Sequence, residues 1–386
     1  VCSSKAITLE QDDAGFLIAS VDAAKCVNCG ICVKVCYRFF NNDAGADLRK
    51  AKLYAVQSTD GETLKRCSSG GLAHELALDA IRGGSKAIGA VYDTATDRVF
   101  HRIVVDESGV AELDGSKYLQ SDTQEAFSKA IHEAVRDKAA RFIVFGTPCQ
   151  IAGIAKAGDL LDIREQFLLT EIFCHGVPPY GLWQYQLQRM RKKLRAQRLE
   201  KVLFRSKKDG WHSYCIRADA NGKSFFGSRE REPFWHVYFE NVLLGDACMT
   251  CRLRKEISLA DLRIGDYWGV RYQNRNDGVS AAFACTVRGK AAIDRLLADG
   301  RLTELDPGTP DEMLRAQNME GYSVQKPHDE SMQLLRHGAS IPEAVRAYRR
   351  HDSVKRRMKR TALHIAGILP GGLRGRLKRT KGKIMH

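Results

Sequence analysis

Between Cys26 and Cys36 the chain reads Cys-Val-Asn-Cys-Gly-Ile-Cys-Val-Lys-Val-Cys, placing sulfurs at spacings of three, three and four. Three thiolates on one tight turn wrap three corners of an iron–sulfur cube, and Gly30 permits the sharp bend. The fourth cysteine begins a helix and is often handed to a neighbouring cluster. A zinc site is the alternative, because paired Cys-x-x-Cys is also zinc-ribbon grammar. Zinc asks for two pairs, whereas this is one continuous run of four sulfurs, so iron–sulfur is the better reading. Such a chain is built to move electrons.

The residues before the run extend this reading. Cys2 is followed by Ala6-Ile7 and by a short β-ribbon through Gly15–Ile18 and Val21-Asp22, the way the first half of a two-cluster ferredoxin ends. In that arrangement Cys2 completes the cluster of Cys26, Cys29 and Cys32. Cys36 then reaches a second cluster whose first three cysteines are expected before residue 1, so the sequence is expected to be clipped there. The alternative is that Cys36 is the fourth ligand and Cys2 an incidental thiol.

The 386 residues allow two or three domains, and 44% hydrophobic with 28% charged content is that of a soluble globular protein. Twelve cysteines without a secretory apolar segment point to a reducing, cytoplasmic setting in which cysteines serve as ligands. No apolar run is long enough to span a bilayer. The net charge of +15 resembles a nucleic-acid signal until it is located. Residues 346–386 hold 14 Lys or Arg against one acid, Asp352, so the first 345 residues carry only +2. Nucleic acid is therefore a poor partner for the body of the chain.

Three segments are expected: a ferredoxin-type domain at 1–45, an α/β (α+β) domain with a mixed sheet at 50–345, and a basic tail at 346–386. Within the middle segment, Lys86–Tyr92, Arg141–Phe145 and Leu168–Phe173 read as strands. Leu72–Ile81, Thr123–Val135 and Gly181–Leu199 carry helical periodicity. The last of these has a basic second half that reads as a solvated face. Residues 211–240 read as aromatic-rich antiparallel strands, and Pro307 and Pro310 mark a loop before two short helices.

Cys67-Ser68-Ser69-Gly70-Gly71 stands just before a helix, where free N–H groups and a positive helix end favour an anion such as a cofactor phosphate. It is also a plain capping loop. Gly146-Thr147-Pro148-Cys149 and Cys174-His175-Gly176 each follow a strand, the position at which open α/β sheets build their sites. Cys248-Met-Thr-Cys251 adds a further pair. These four thiols, Cys149, Cys174, Cys248 and Cys251, can hold a second cluster, while Cys215 and Cys285 read as inert thiols in strands.

In this order the motifs resemble those of the β-subunit family of coenzyme F420 hydrogenases and dehydrogenases, over roughly residues 1–300. The matching pieces are the cysteine run, Ser68–Gly71, Gly89–Asp93, Gly115–Asp122, Gly146–Gly153, Phe173–Pro178, Trp211–Tyr214, the pair at 248–251 and Ile264–Gly269. The resemblance implies an iron–sulfur flavoprotein. It would carry one to three 4Fe-4S clusters and FAD (FMN being the second choice), with the deazaflavin coenzyme F420 as a potential co-substrate. The flavin would lie against Ser68, Ser69, Gly70 and Gly71 and against Lys117, Gln120 and Ser121, with Thr147 and Pro148 nearby. His175 and His212 are the candidate acid–base residues. A flavin exchanges hydride on one side and single electrons on the other, which suits a chain with clusters.

Two features depart from the pattern. The proline usual after each fourth ferredoxin cysteine is Ser3 and Tyr37 here, and a usual Asp-Ile-Thr is Asp261-Leu262-Arg263. Three functions follow as expectations. The first is a reductase or oxidase of a small organic substrate, fed by a ferredoxin or the deazaflavin. The second is an electron-relay subunit of a larger redox complex without its own substrate. The third is a zinc protein with a nucleic-acid-binding arm. The basic tail, interrupted by the apolar Ala362–Leu369, is suited to peripheral contact with the inner membrane surface, to an acidic redox partner, or to a solubilising end.

Overall fold

The computed structural model describes residues 2–39, 45–254, 256–317, 325–358 and 361–362. At its centre is an eight-stranded mixed sheet. Its strands run in the order Leu302–Leu305, Lys52–Ser58, Ser280–Ala284, Leu262–Asp266, Phe167–Ile172, Phe142–Gly146, Lys86–Asp93, Arg98–Val104. The four strands starting at 262, 167, 142 and 86 are mutually parallel, and antiparallel strands flank them on both sides. The expected mixed α/β architecture is borne out.

Alternation along each strand decides which helices cover which face. Ile143 faces the helices Leu72–Arg82 and Val287–Ala298, packing with Leu76, Ile293 and Leu296. Its neighbours Phe142 and Val144 face the helices Gln124–Arg136 and Pro148–Leu160, packing with Ile131, Ile151 and Ile154. Burial on both faces explains why Phe142–Phe145 is a continuous apolar run rather than an alternating one. Because the central strands are parallel, their carboxyl ends line up on one edge. The loops at Thr147, Phe173 and Tyr267 therefore emerge side by side.

A second, aromatic core joins the helix Tyr180–Leu194 to a three-stranded antiparallel sheet (Lys201–Ser206, Cys215–Ala220, Lys223–Gly227). Here two sequence expectations are corrected. The aromatic segment at the end of 211–240 is not a strand: Pro233–Phe239 is a helix with Pro233 in its first turn. Phe234, Trp235, Val237 and Tyr238 are its buried residues, a helical rather than an alternating spacing. The helix expected over Gly181–Leu199 stops at Leu194, where Arg195 turns into the left-handed region at φ 52°. Arg191 on its basic half is not merely solvated, because it pairs with Asp97 at 2.6 Å. Cys215 opens a strand and is buried, whereas Cys285 lies just beyond the strand Ser280–Ala284 and is half-buried.

Among the described residues, the two short helices expected between Pro310 and residue 346 are three: Pro310–Gln317, Gln325–Arg336 and Ile341–Arg350. The last of these runs across residue 346, where the basic tail was expected to begin, and buries Ala347 and Tyr348. The apolar stretch Ala362–Leu369 and the basic residues from Arg374 onward lie outside the described residues, apart from Ala362 itself. No helix among the described residues is long and apolar enough to cross a membrane.

At the N-terminal end, Ile7–Gln11 pairs antiparallel with Leu17–Val21, as the ribbon reading expects. This ribbon is fastened to the body. The Leu17 N–H donates to Gln120 Oε1 at 2.8 Å, Gln120 Nε2 donates to the Leu17 carbonyl at 2.6 Å, and the Tyr180 N–H donates to the Gly15 carbonyl at 2.9 Å.

Candidate functional site

The carboxyl edge of the parallel strands opens onto a cavity of about 910 Å3, the size of a site for a large cofactor. Its wall includes Ser68, Ser69, Gly71, Lys117, Ser121, Thr147, His175 and His212. Three residues expected to hold the cofactor lie outside that wall. Gln120 binds the ribbon instead. Pro148 is buried in the first turn of its helix. Gly70 is pressed against the sheet, where a Cβ would stand 2.5 Å from the Ser280 nitrogen and the Val56 carbonyl.

Local chemistry explains how the Ser68–Gly71 loop is held. Gly71 takes φ 86° and starts the Leu72–Arg82 helix, leaving the first-turn N–H groups without a side-chain cap. The Ser69 hydroxyl donates to the Val279 carbonyl at 2.8 Å, so it is committed to the scaffold. Ser68 Oγ accepts the Ser116 N–H at 2.8 Å, which keeps its own proton available. Two lysines brace the loops from behind. Lys117 Nζ donates to the carbonyls of Glu112, Leu113 and Asp114 at 3.1, 3.0 and 2.8 Å. Lys207, which nothing in the sequence singled out, donates to the carbonyls of Leu64, Ser69 and Asp277 at 2.6, 2.6 and 2.5 Å. Burial pulls both ammonium groups down to about 8. Each neutralises a cluster of carbonyl dipoles, and each leaves a positive field on the loop.

His101 is the other residue that sequence reading missed. It lies on an inward position of the strand Arg98–Val104, is 4% exposed and lines the cavity. Its Nε2 lies 2.9 Å from the Phe145 carbonyl, which fixes the proton on Nε2. Its Nδ1 is buried and has no partner among the described residues. Burial holds the imidazole down to about 4, so it is neutral and Nδ1 is a bare acceptor. An orphaned buried acceptor in a cavity wall fits a ligand that brings an N–H or O–H. His175 is likewise held to about 4, first by burial and then by Arg254. His212, tilted against Trp211 at 4.7 Å and Trp268 at 5.5 Å, is lowered chiefly by burial. None of these three histidines is an imidazolium acid at neutral pH.

Aromatic rings close one side of the cavity. Tyr214 stacks on Trp268 with centroids 5.7 Å apart, and the Arg205 guanidinium lies 4.4 Å from the Tyr214 ring while pairing with Asp266 at 2.6 Å. Cys67, His74 and Asp114 form one compact group, with ligand-type atoms within 4.8 Å of one another. Asp114 is already paired with Arg66 at 3.1 Å and with His74 Nδ1 at 2.9 Å. Burial first and then Asp114 push the Cys67 thiol up, and its Sγ donates to Asp114 Oδ1 at 3.5 Å, so the thiol keeps its proton and the group is a hydrogen-bonded anchor for the loop.

Cys149, Cys174, Cys248 and Cys251 come from three separate segments and gather beside this cavity, with Cys174 in its wall. Their thiols act on one another. Burial first, then Cys248 and Cys149, pushes Cys174 far up; burial and then its neighbours push Cys248 up to about 12; burial and Cys251 raise Cys149. The packing is close. At Gly176, φ 97°, a Cβ would stand 3.1 Å from Cys248 Cβ, and the Gly245 N–H ties the two loops through the Val177 carbonyl at 3.1 Å. The four do not contract into an ion-sized group. Four thiols with no carboxylate or imidazole among them are a donor set suited to a thiolate-ligated metal group.

Arg263, a departure from the family pattern, now has an explanation. It is 1% exposed, is paired with buried Glu171, and donates through Nη2 to the carbonyls of Leu253 and Ile257 at 3.1 and 3.0 Å. It therefore holds the segment that follows Cys251 against the sheet.

The N-terminal cysteines stand apart from the cavity. Gly30 takes φ 71°, as the tight-turn reading expects, but the short helix Ile31–Val35 ends at Cys36, where a helix was expected to begin. Cys29 and Cys32 are exposed, while Cys2, Cys26 and Cys36 are half-buried. Cys2 Sγ accepts the Ala6 N–H at 3.4 Å.

Residues 139–309 match the family defined by the carboxyl-terminal part of the coenzyme F420 hydrogenase/dehydrogenase beta subunit, so the resemblance read from the motifs is borne out there. No curated protein matches the chain. Among solved structures, a chain of the F420-reducing NiFe hydrogenase complex from Methanosarcina barkeri aligns with a TM-score of 0.49 at 16% identity. The alignment covers 76% of this chain and 95% of that one.

Proposed function

We propose that this chain, a member of the coenzyme F420 hydrogenase/dehydrogenase beta-subunit family over residues 139–309, is an iron–sulfur flavoprotein oxidoreductase. In this reading a flavin (FAD before FMN) occupies the cavity, Cys149, Cys174, Cys248 and Cys251 hold one 4Fe-4S cluster, and the Cys26–Cys36 run with Cys2 serves another. The observation that carries the reading is the shared wall: Cys174 and His175 line the same cavity as Ser68, Ser69, Gly71 and Lys117. A bound flavin supplies the conversion between hydride transfer and single-electron transfer.

The chain's own residues provide the setting. The helix start at Gly71 and the braced Lys117 and Lys207 offer a positive field to phosphate. His101 Nδ1 accepts a hydrogen bond from the ligand and keeps its own proton on Nε2. The rings of Tyr214 and Trp268 exclude water from one face. His175, neutral, orients a substrate or the reduced cofactor rather than protonating it as a cation. A small organic substrate and a ferredoxin or deazaflavin donor complete the scheme.

Anaerobically purified protein is expected to absorb broadly near 400 nm with flavin shoulders, with iron and flavin in stoichiometric amounts. A colourless zinc protein would overturn the proposal. The relay reading also has an observation in its favour. Val27 and Val33 beside the exposed Cys29 and Cys32 are 66% and 47% exposed, an apolar rim suited to a redox partner. Turnover by the isolated chain with an artificial donor favours the enzyme; turnover only with a partner favours the relay.

A further inference from the structure

Tyr37 follows the last cysteine of the N-terminal run, yet its contacts lie on the other cysteine group. Its hydroxyl donates to the carbonyl of Ala247, the residue before Cys248, at 3.5 Å. Its own carbonyl accepts from Arg252 Nη2, the residue after Cys251, at 3.1 Å. The helix Ile31–Val35 approaches the helix that carries Cys149, with Gly153 lying 3.9 Å from the Val35 carbonyl when given a Cβ. Tyr37 thus grips the Cys248–Cys251 loop at both ends and joins the two sulfur sets through one residue. The thiols of Cys251, Cys149 and Cys248 also act, after burial, to hold its phenol above the ordinary range.

We propose that Tyr37 is the positioning residue of the Cys149/Cys174/Cys248/Cys251 group, and that its hydroxyl is a hydrogen-bond donor raising the reduction potential of the iron–sulfur group held there. The inference rests on the cluster reading above. At 3.5 Å the bond to Ala247 is at the weak limit, and in this assignment the O–H turns toward a ligand sulfur of the same loop. A donor to a cluster sulfur stabilises the reduced, more negative state, and hydrogen bonds to sulfur are among the levers that set cluster potentials. Each reduction adds one electron, and no bond is made or broken at Tyr37.

The test uses the full chain, purified anaerobically, with potentiometric titration followed by electron paramagnetic resonance. Cys149→Ser identifies which signal belongs to the interior group, because that signal and its iron are expected to vanish. If iron and signals are unchanged in Cys149→Ser, the cluster reading itself has failed. In Tyr37→Phe the iron content is expected to stay at the wild-type value. The interior group's potential is expected to fall by about a tenfold change in its reduced-to-oxidised ratio, which is about 59 mV for one electron. The signal of the Cys26–Cys36 run is expected to stay in place. Tyr37→His, which restores a donor, is expected to recover most of the shift. An unchanged potential in Tyr37→Phe, an equal shift of both signals, or a Tyr37→His value that stays with that of Tyr37→Phe each overturns the assignment.

Discussion

The two sulfur sets differ in how they are built, although each combines exposed and half-buried cysteines, Cys149 being the exposed member of the second. The run from Cys26 to Cys36 is local: eleven consecutive residues around one left-handed glycine, with Cys29 and Cys32 open to solvent. The group of Cys149, Cys174, Cys248 and Cys251 is tertiary. Cys149 and Cys174 follow the parallel strands at 142 and 167, the Cys248–Cys251 loop is tied to them where the Gly245 N–H donates to the Val177 carbonyl, and burial with neighbouring thiols raises Cys149, Cys174 and Cys248. A local turn can be filled at the surface, where a partner reaches it. A group assembled from distant segments demands a finished fold, and this one abuts the cavity. In the proposed reading, entry of electrons and their use are thereby separated.

The largest effect expected is all-or-none. Cys251→Ala should remove the iron of the interior group and leave that of the run, and Cys29→Ala the reverse, each losing roughly half of the total. Iron analysis with paramagnetic resonance checks it; a loss of all iron in either variant would break the separation. Next comes Arg263→Ala, which leaves Glu171 as an unpaired buried charge. That is expected to cost about 3–5 kcal/mol of stability in chemical denaturation. Because Arg263 carries the carbonyls of Leu253 and Ile257, iron at the interior group should suffer in this variant while the run keeps its own. His101→Leu probes the cavity side. Removing the orphaned acceptor is expected to weaken flavin binding by about 1–3 kcal/mol, read by fluorescence titration, with iron content unchanged.

How much of this was written in the sequence follows the same division. The run, the ribbon and the strand-end cysteines were legible because each is a short motif whose geometry is set within a few residues. The aromatic helix Pro233–Phe239 misread as strand because Phe, Trp and Tyr favour both states, and only the i, i+1, i+3, i+4 burial decides. Gln120 was assigned to the cofactor because it sits within a glycine- and serine-rich match. Its amide is instead claimed by a backbone 103 residues away. His101 left no signal, since an inward-facing histidine on a strand becomes notable only when Nδ1 is seen to lack a partner. Arg263 is visible in the sequence as a departure, but its partner Glu171 lies 92 residues away and leaves no local sign of the pair. Contacts that span a hundred residues leave no local signature.

The smallest effect sharpens the contrast through pH in metal-free protein. Cys248 is pushed up to about 12 by burial and its neighbours, whereas an unfolded cysteine titrates near ~8.5. A folded-state pKa above the unfolded one means that folding holds the proton. The contribution of this thiol to stability is therefore fully present below about 8.5 and is lost progressively as pH rises toward about 12. Metal-free protein is expected to lose stability steadily between about pH 9 and pH 11, in denaturant midpoints at fixed salt. Cys248→Ala should flatten that slope, whereas Cys29→Ala, at an exposed site, should leave it in place. Iron-loaded protein should show a shallower slope than metal-free protein, because a coordinated sulfur is deprotonated outright and has no proton to surrender. An equal slope in loaded and metal-free protein would mean that Cys248 carries no iron, and the interior group would then be a set of buried thiols and not a metal centre.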